Sequence, residues 1–171
     1  MIETAPASFI ADPVLLKSIT DAVEQALQMC DSQASCVAIA RVPARDPGSV
    51  TGLIGVHGSV SGFITVNLAE RVAKSIVGGL LQDNFEALTG QVIDGVGELT
   101  NIIAGGIKKG VLGTPWAFAN VTVPSVIVGR NYQIAYCRGL EYLSATFEQQ
   151  NDDAVMLDDR LLQVAVSLIR L

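Results

Sequence analysis

The sequence predicts an α/β fold of the two-layer kind, a mostly antiparallel six-stranded sheet with long helices packed on one face. Three stretches carry apolar residues at helical spacing, and six short runs are β-branched or alternate in polarity. Strands come in runs joined by hairpin-length turns, which favours antiparallel pairing over a regular alternation of helix and strand. With 171 residues, 50% hydrophobic and 16% charged, the chain has apolar mass for one well-cored domain over residues 1–171 and too little for two.

The first helix is announced by Asp12 as N-cap and Pro13 at the first helical position. Val14, Leu15, Ile19, Val23, Ala26 and Leu27 then recur at helical spacing, which predicts a helix to about Met29. The β-rich run from Cys36 to Val42 predicts a first strand, ended by the prolines, Asp46 and Gly48 of a loop. Two further runs flank His57-Gly58-Ser59. In the second, Val60, Gly62, Ile64, Val66 and Leu68 alternate with Ser61, Phe63, Thr65 and Asn67, so a hairpin is expected. Val72, Ile76, Val77 and Leu80 share one face of a second helix, from about Leu68 to Leu81. A long third helix is expected from near Thr89 to about Leu112, where Gly113-Thr114-Pro115 stops it. Three β-rich runs follow, beginning at Ala119, Gln133 and Leu161, with an acidic loop from Asn151 to Asp159 before the last.

Composition excludes several function classes. Acids outnumber lysine and arginine by 17 to 11, a net charge of −6, which disfavours nucleic acid because phosphates are held mainly by basic side chains. The uncharged stretch Pro47–Ala69 is broken by glycine, serine, threonine and Asn67, so it reads as paired strands and not as a membrane span. No charged segment leading into an apolar core opens the chain, and a cytoplasmic location is expected. His57 is the single histidine, which rules out a multi-histidine zinc site, and no serine–aspartate constellation accompanies it for a nucleophilic triad. Cys30, Cys36 and Cys137 are odd in number with no CxxC pair, so buried, reduced thiols are expected. The glycines around His57 do not lead from a strand into a helix, as a phosphate-binding loop requires.

The third helix concentrates the informative residues. At about 100° per residue, Asp94, Glu98, Asn101, Gly105 and Lys108 fall in one stripe. Val92, Val96, Leu99, Ile103 and Ile107 form the opposite one. Glycine costs roughly 1 kcal/mol against alanine inside a helix. Gly95, Gly97, Gly105, Gly106 and Gly110 are therefore unexplained by propensity, and close approach of another surface is the expectation.

The pattern Asp94-x3-Glu98-x2-Asn101-x22-Pro124, with GELTNIIAGGIKK and VPSVIVG around it, resembles the signature of the CheC/CheX/FliY family of chemotaxis phosphatases. The resemblance covers residues 50 to 135. Members with two sites carry E-x2-N on two pseudo-symmetric helices; here the first helix has Asp21 and Glu24 but Leu27 where asparagine is needed, so the chain is similar to the single-site CheX branch.

That resemblance implies a two-layer sandwich and a phosphatase acting on the aspartyl phosphate of a CheY-type receiver domain. It implies Asn101 as the group that orients the attacking water and Glu98 as the partner of the receiver's active-site lysine. An amide suits the first role because it both donates and accepts and does not titrate. Asp94 and Pro124 support the motif, Pro124 by ending or kinking an edge strand beside the helix. Gly97, Gly105 and Lys108 are candidates for partner contact, although lysines late in a helix are also favoured by its dipole. Asp94, Glu98 and Asn101 also have the oxygens of a Mg²⁺ site. The resemblance assigns Mg²⁺ to the receiver and no cofactor to this chain, and it implies a homodimer joined through sheet edges. Trp116 and Phe118 read as core or dimer contacts. On the same fold, a non-catalytic adaptor or flagellar-switch-like binding module is the alternative, and a small-molecule sensor a third.

Overall fold

The computed structural model describes residues 12–43, 48–130, 132, 134, 139–150 and 154–170. In chain order these form helix α1 (Pro13–Met29), strands β1 (Ala34–Ala40), β2 (Val50–Gly58) and β3 (Val60–Leu68), and helices α2 (Glu70–Leu81) and α3 (Gly90–Gly110). Strands β4 (Phe118–Val121), β5 (Ser125–Val128) and β6 (Glu141–Gln149), a short 3-10 turn and strand β7 (Leu161–Arg170) follow. Gln133 and residues 135–138 of the expected run from Gln133, Cys137 among them, lie outside the described residues, as do residues 44–47 of the loop before Gly48 and residues 151–153 of the acidic loop.

The strands make one antiparallel sheet in the order β1-β6-β7-β3-β2-β4, with β5 also on β2. Six strands are expected and seven are described, because the run at Ala119–Gly129 is split. β4 pairs with the end of β2 at Val56–Gly58 and β5 with its start at Val50–Leu53. Pro124 lies between them, where a residue without an N–H interrupts a ladder. The order is also palindromic, with the α1-β1-β2-β3 half mirrored by α3-β4/β5-β6-β7 about the β3–β7 pair. The apolar terminal strand β7 is central, hydrogen-bonded on both sides.

Side-chain alternation gives the sheet two chemically distinct faces. Leu143, Val166, Ile64 and Ile54 make one cross-strand row, and Phe147, Leu162, Leu68 and Val50 another, all buried beneath the helices. The opposite face carries Thr146, Gln163, Asn67 and Thr51 in a row. Asn67 is 1% exposed, and its amide accepts from the Gly48 N–H at 2.7 Å and donates to Thr51 Oγ1 at 2.6 Å. A buried amide so satisfied fixes the entry of β2.

Helix α3 lies between α1 and α2 and against β2. Its glycines make this closeness possible. A β-carbon on Gly106 would stand 2.7 Å from Ala22 Cβ, and one on Gly110 2.7 Å from Ser18 Cβ, both on α1; one on Gly95 would overlap Val77 of α2. Only Gly97 and Gly105 among the five interior candidates have room for a side chain, so three of the five serve packing within the domain and not a partner.

Other expectations are shifted. β1 is Ala34–Ala40 rather than Cys36–Val42, since its pairing with β6 runs from Gln149 to Ser144 and stops at Ala40. α2 begins at Glu70 because Leu68 is still held between Val50 and Leu162 in the sheet. Cys36 is exposed on the edge strand β1, against the expectation of burial. Cys30 is buried, and burial pushes its thiol up to about 11. Trp116 and Phe118 belong to the core. Among the described residues no helix is long and apolar enough to cross a membrane.

Candidate functional site

Thr89 caps α3, its Oγ1 accepting from the Val92 N–H at 3.3 Å. From there the apolar stripe of Val92, Val96, Leu99, Ile103 and Ile107 is fully buried, which fixes the rotation of the helix. Burial of that stripe turns Asp94, Glu98 and Asn101 to solvent, and all three are exposed. None of the three side chains hydrogen-bonds or ion-pairs with another described residue.

The second wall comes from the β4–β5 corner. Thr122 N–H donates to Gly55 O at 2.9 Å, and Gly55 N–H donates to Thr122 Oγ1 at 2.9 Å. This two-point bond holds the chain to β2 just before Pro124 turns it. A side chain on Gly55 would crowd Thr122, since its β-carbon would stand 3.0 Å from Thr122 Cγ2. Pro124 and Val126 then lie over Gly97, within 3.9 and 3.7 Å of where its β-carbon would be.

Between the walls runs an open groove of about 600 Å³. Ile93, Asp94, Gly97, Glu98 and Asn101 line it from α3, and Val121 through Pro124 with Val126 line it from the corner. Five residues singled out in the sequence are thus brought together: Asp94, Gly97, Glu98, Asn101 and Pro124. Gly105 and Lys108 continue the same helical stripe but do not line the groove. That Val123 and Thr122 line the groove and Gly55 braces it was not legible in the sequence. A valine in a β-rich run looks like any strand residue until its exposure is known.

Chemically the groove offers two carboxylates and a carboxamide on one side and an uncharged, mostly apolar wall on the other. Among the described residues no three of histidine, cysteine, aspartate and glutamate cluster as a metal site would need. His57 is elsewhere, at the tip of the β2–β3 hairpin, where its Nδ1 and Ser61 Oγ are 2.7 Å apart.

The family model of the chemotaxis phosphatase CheX matches residues 50–148, which include the whole groove. The chain belongs to the CheX family. By sequence, no curated protein matches it. Solved structures share its fold at low identity. A CheC-like superfamily protein from Shewanella sp. PV-4 is 21% identical with a TM-score of 0.76, over 92% of this chain and 99% of that one. The chemotaxis protein CheX from Vibrio vulnificus is 22% identical with a TM-score of 0.75, over 90% and 98%. CheX from Borrelia burgdorferi, solved in a complex with CheY, BeF3 and Mg²⁺, is 21% identical with a TM-score of 0.72, over 91% and 98%.

Within this CheX-family fold, α1 occupies the position mirrored by α3 but lacks its groove-facing stripe. Leu27 is 2% exposed and turned into the core, and Asp21 is engaged by Lys17 at 2.6 Å. A residue at the asparagine position of α1 is therefore turned into the core, not toward a partner.

Proposed function

We propose that this chain is a phosphatase for the aspartyl phosphate of a CheY-type response regulator, with Glu98 and Asn101 entering the receiver's phosphorylation pocket. The observation that carries this reading is the pair itself, exposed one turn apart in the groove with neither side chain engaged by another described residue. Membership in the CheX family supports it, as does the Borrelia CheX complex with CheY.

In the proposed reaction Asn101 holds a water in line with the phosphorus by donating and accepting at once. The water oxygen bonds to phosphorus as the bond to the receiver's aspartate breaks, the aspartate leaves as a carboxylate, and the water's proton departs with inorganic phosphate. Glu98 pairs with the receiver's lysine and so sets the register of Asn101, since a misplacement of about 1 Å costs roughly a hundredfold in rate. Asp94, a turn earlier, adds negative charge on the same approach. Mg²⁺ is held by the receiver and this chain contributes no ligand to it.

The same reading makes the protein a homodimer joined through sheet edges. Of the two terminal β-runs only β1 is an edge, and Ser35 to Ile39 are exposed along it, with Val37 at 50%. An unpaired apolar edge is a template for a second strand. A monomeric mass by light scattering at micromolar concentration would overturn this.

The test of the activity follows phosphate on a CheY-type receiver, charged with a small phosphodonor and Mg²⁺. Wild-type protein should hasten its loss, and Asn101→Ala should remove about a hundredfold of that acceleration while still binding. Binding without acceleration by the wild type would instead make the chain a non-catalytic adaptor.

A further inference from the structure

The groove is lopsided. Its α3 wall carries Asp94, Glu98 and Asn101, and its opposite wall is built from Val121, Val123, Pro124 and Val126 with Thr122, mostly apolar and with no charge among them. Within that wall Val123 is 85% exposed, and among the large hydrophobic residues described only Val155 is more so.

A lone exposed valine on a flexible loop needs no explanation. This one is held. Thr122, its neighbour on one side, is bonded to Gly55 by both its N–H and its hydroxyl, and Pro124 on the other side has a fixed φ and lies over Gly97. The side chain is β-branched and stiff at χ1. An apolar group presented by a rigid corner has already lost the freedom that binding would otherwise take from it. It also borders the same groove as Asn101, so anything that reaches Asn101 meets Val123.

We propose that the Thr122–Pro124 corner is a docking element that seats Val123 against an apolar patch on the rim of the receiver's phosphorylation pocket, and so selects among receivers. The proposal rests on the phosphatase reading and names the second contact that reading lacks. The polar pair addresses features any receiver of this type must share, a phosphorylated carboxylate and a lysine. The apolar wall addresses the surrounding rim, where receivers can differ. Discrimination by a few apolar groups is modest, on the order of ten- to a few hundredfold for one buried side chain.

Steady-state dephosphorylation of phosphorylated CheY-type receivers from the same genome tests this, using wild type, Val123→Ser and, as an exposed control outside the groove, Leu112→Ser. Val123→Ser should raise KM about tenfold on the preferred receiver and leave kcat within about twofold. Leu112→Ser should change neither. The substitution sits on an exposed side chain, so a fall in stability is not expected, and a thermal melt matching wild type checks this. An unchanged KM, or a loss confined to kcat, would overturn the docking role while the phosphatase reading stands. No acceleration by wild type on any receiver would overturn both.

Discussion

Pro124 lies directly over Gly97. A β-carbon added to Gly97 would meet Pro124 Cγ at 3.9 Å and Val126 Cγ2 at 3.7 Å, which is ordinary contact and no clash. The glycine is therefore not required by packing. It is buried at the foot of the groove beside Glu98, under the Pro124 corner.

Gly97→Ala should accordingly separate stability from activity. Alanine gains up to roughly 1 kcal/mol in helix propensity, so the denaturant midpoint should hold or rise. Receiver dephosphorylation should fall about tenfold or more, because a methyl group there fills the foot of the groove between Glu98 and the Pro124 corner. A variant that is both destabilised and fully active would contradict this role for Gly97.

Gly106→Ala should behave in the opposite way. Its β-carbon would stand 2.7 Å from Ala22 Cβ and 3.1 Å from Ala22 Cα, so α1 and α3 must move apart. Overpacking of this kind costs about 1–3 kcal/mol and outweighs the gain in propensity. Chemical denaturation should show the loss directly. A midpoint above wild type would mean that the two helices separate at no cost.

Asp12 predicts a pH dependence. Burial opposes its charge, but the N–H groups of Leu15 and Val14, the Trp116 indole and the nearby Arg170 together hold the carboxyl below its ordinary value. Trp116 Nε1 donates to Asp12 at 2.8 Å, and the Arg170 guanidinium stacks 4.5 Å from the centre of the same ring. A depressed carboxylate contributes stability that is fully present above the unfolded pKa, about 3.9, and is lost as pH falls through the folded one. Asp12→Ala should cost about 1 kcal/mol at neutral pH through the lost cap. The gap between wild type and variant in urea midpoints should narrow as pH drops below about 4. A gap independent of pH would show that the charge contributes nothing.

Much of the candidate groove was legible in the sequence. Asp94, Glu98 and Asn101 share a stripe because the helical period puts residues three and four apart on one face, and burial of Val92, Val96, Leu99, Ile103 and Ile107 leaves that stripe facing out. The helices α1, α2 and α3, the β2–β3 hairpin and the break at Pro124 follow from capping, alternation and the missing proline N–H, all local properties. The sorting of the glycines was not legible. Each looks alike in sequence, and only the neighbour decides its purpose: α1 for Gly106 and Gly110, α2 for Gly95, the Pro124 corner of the groove for Gly97.

The division has a physical basis. Periodicity, caps and turn chemistry act within a few residues, so the sequence by itself determined the three helices, the β2–β3 hairpin, the antiparallel class and the polar pair on α3. Contacts between residues far apart in the chain depend on how the layers meet. Only the tertiary structure could bring Gly55 to Thr122, set Val123 out beside Asn101, leave Cys36 on an open edge and turn Leu27 of α1 into the core.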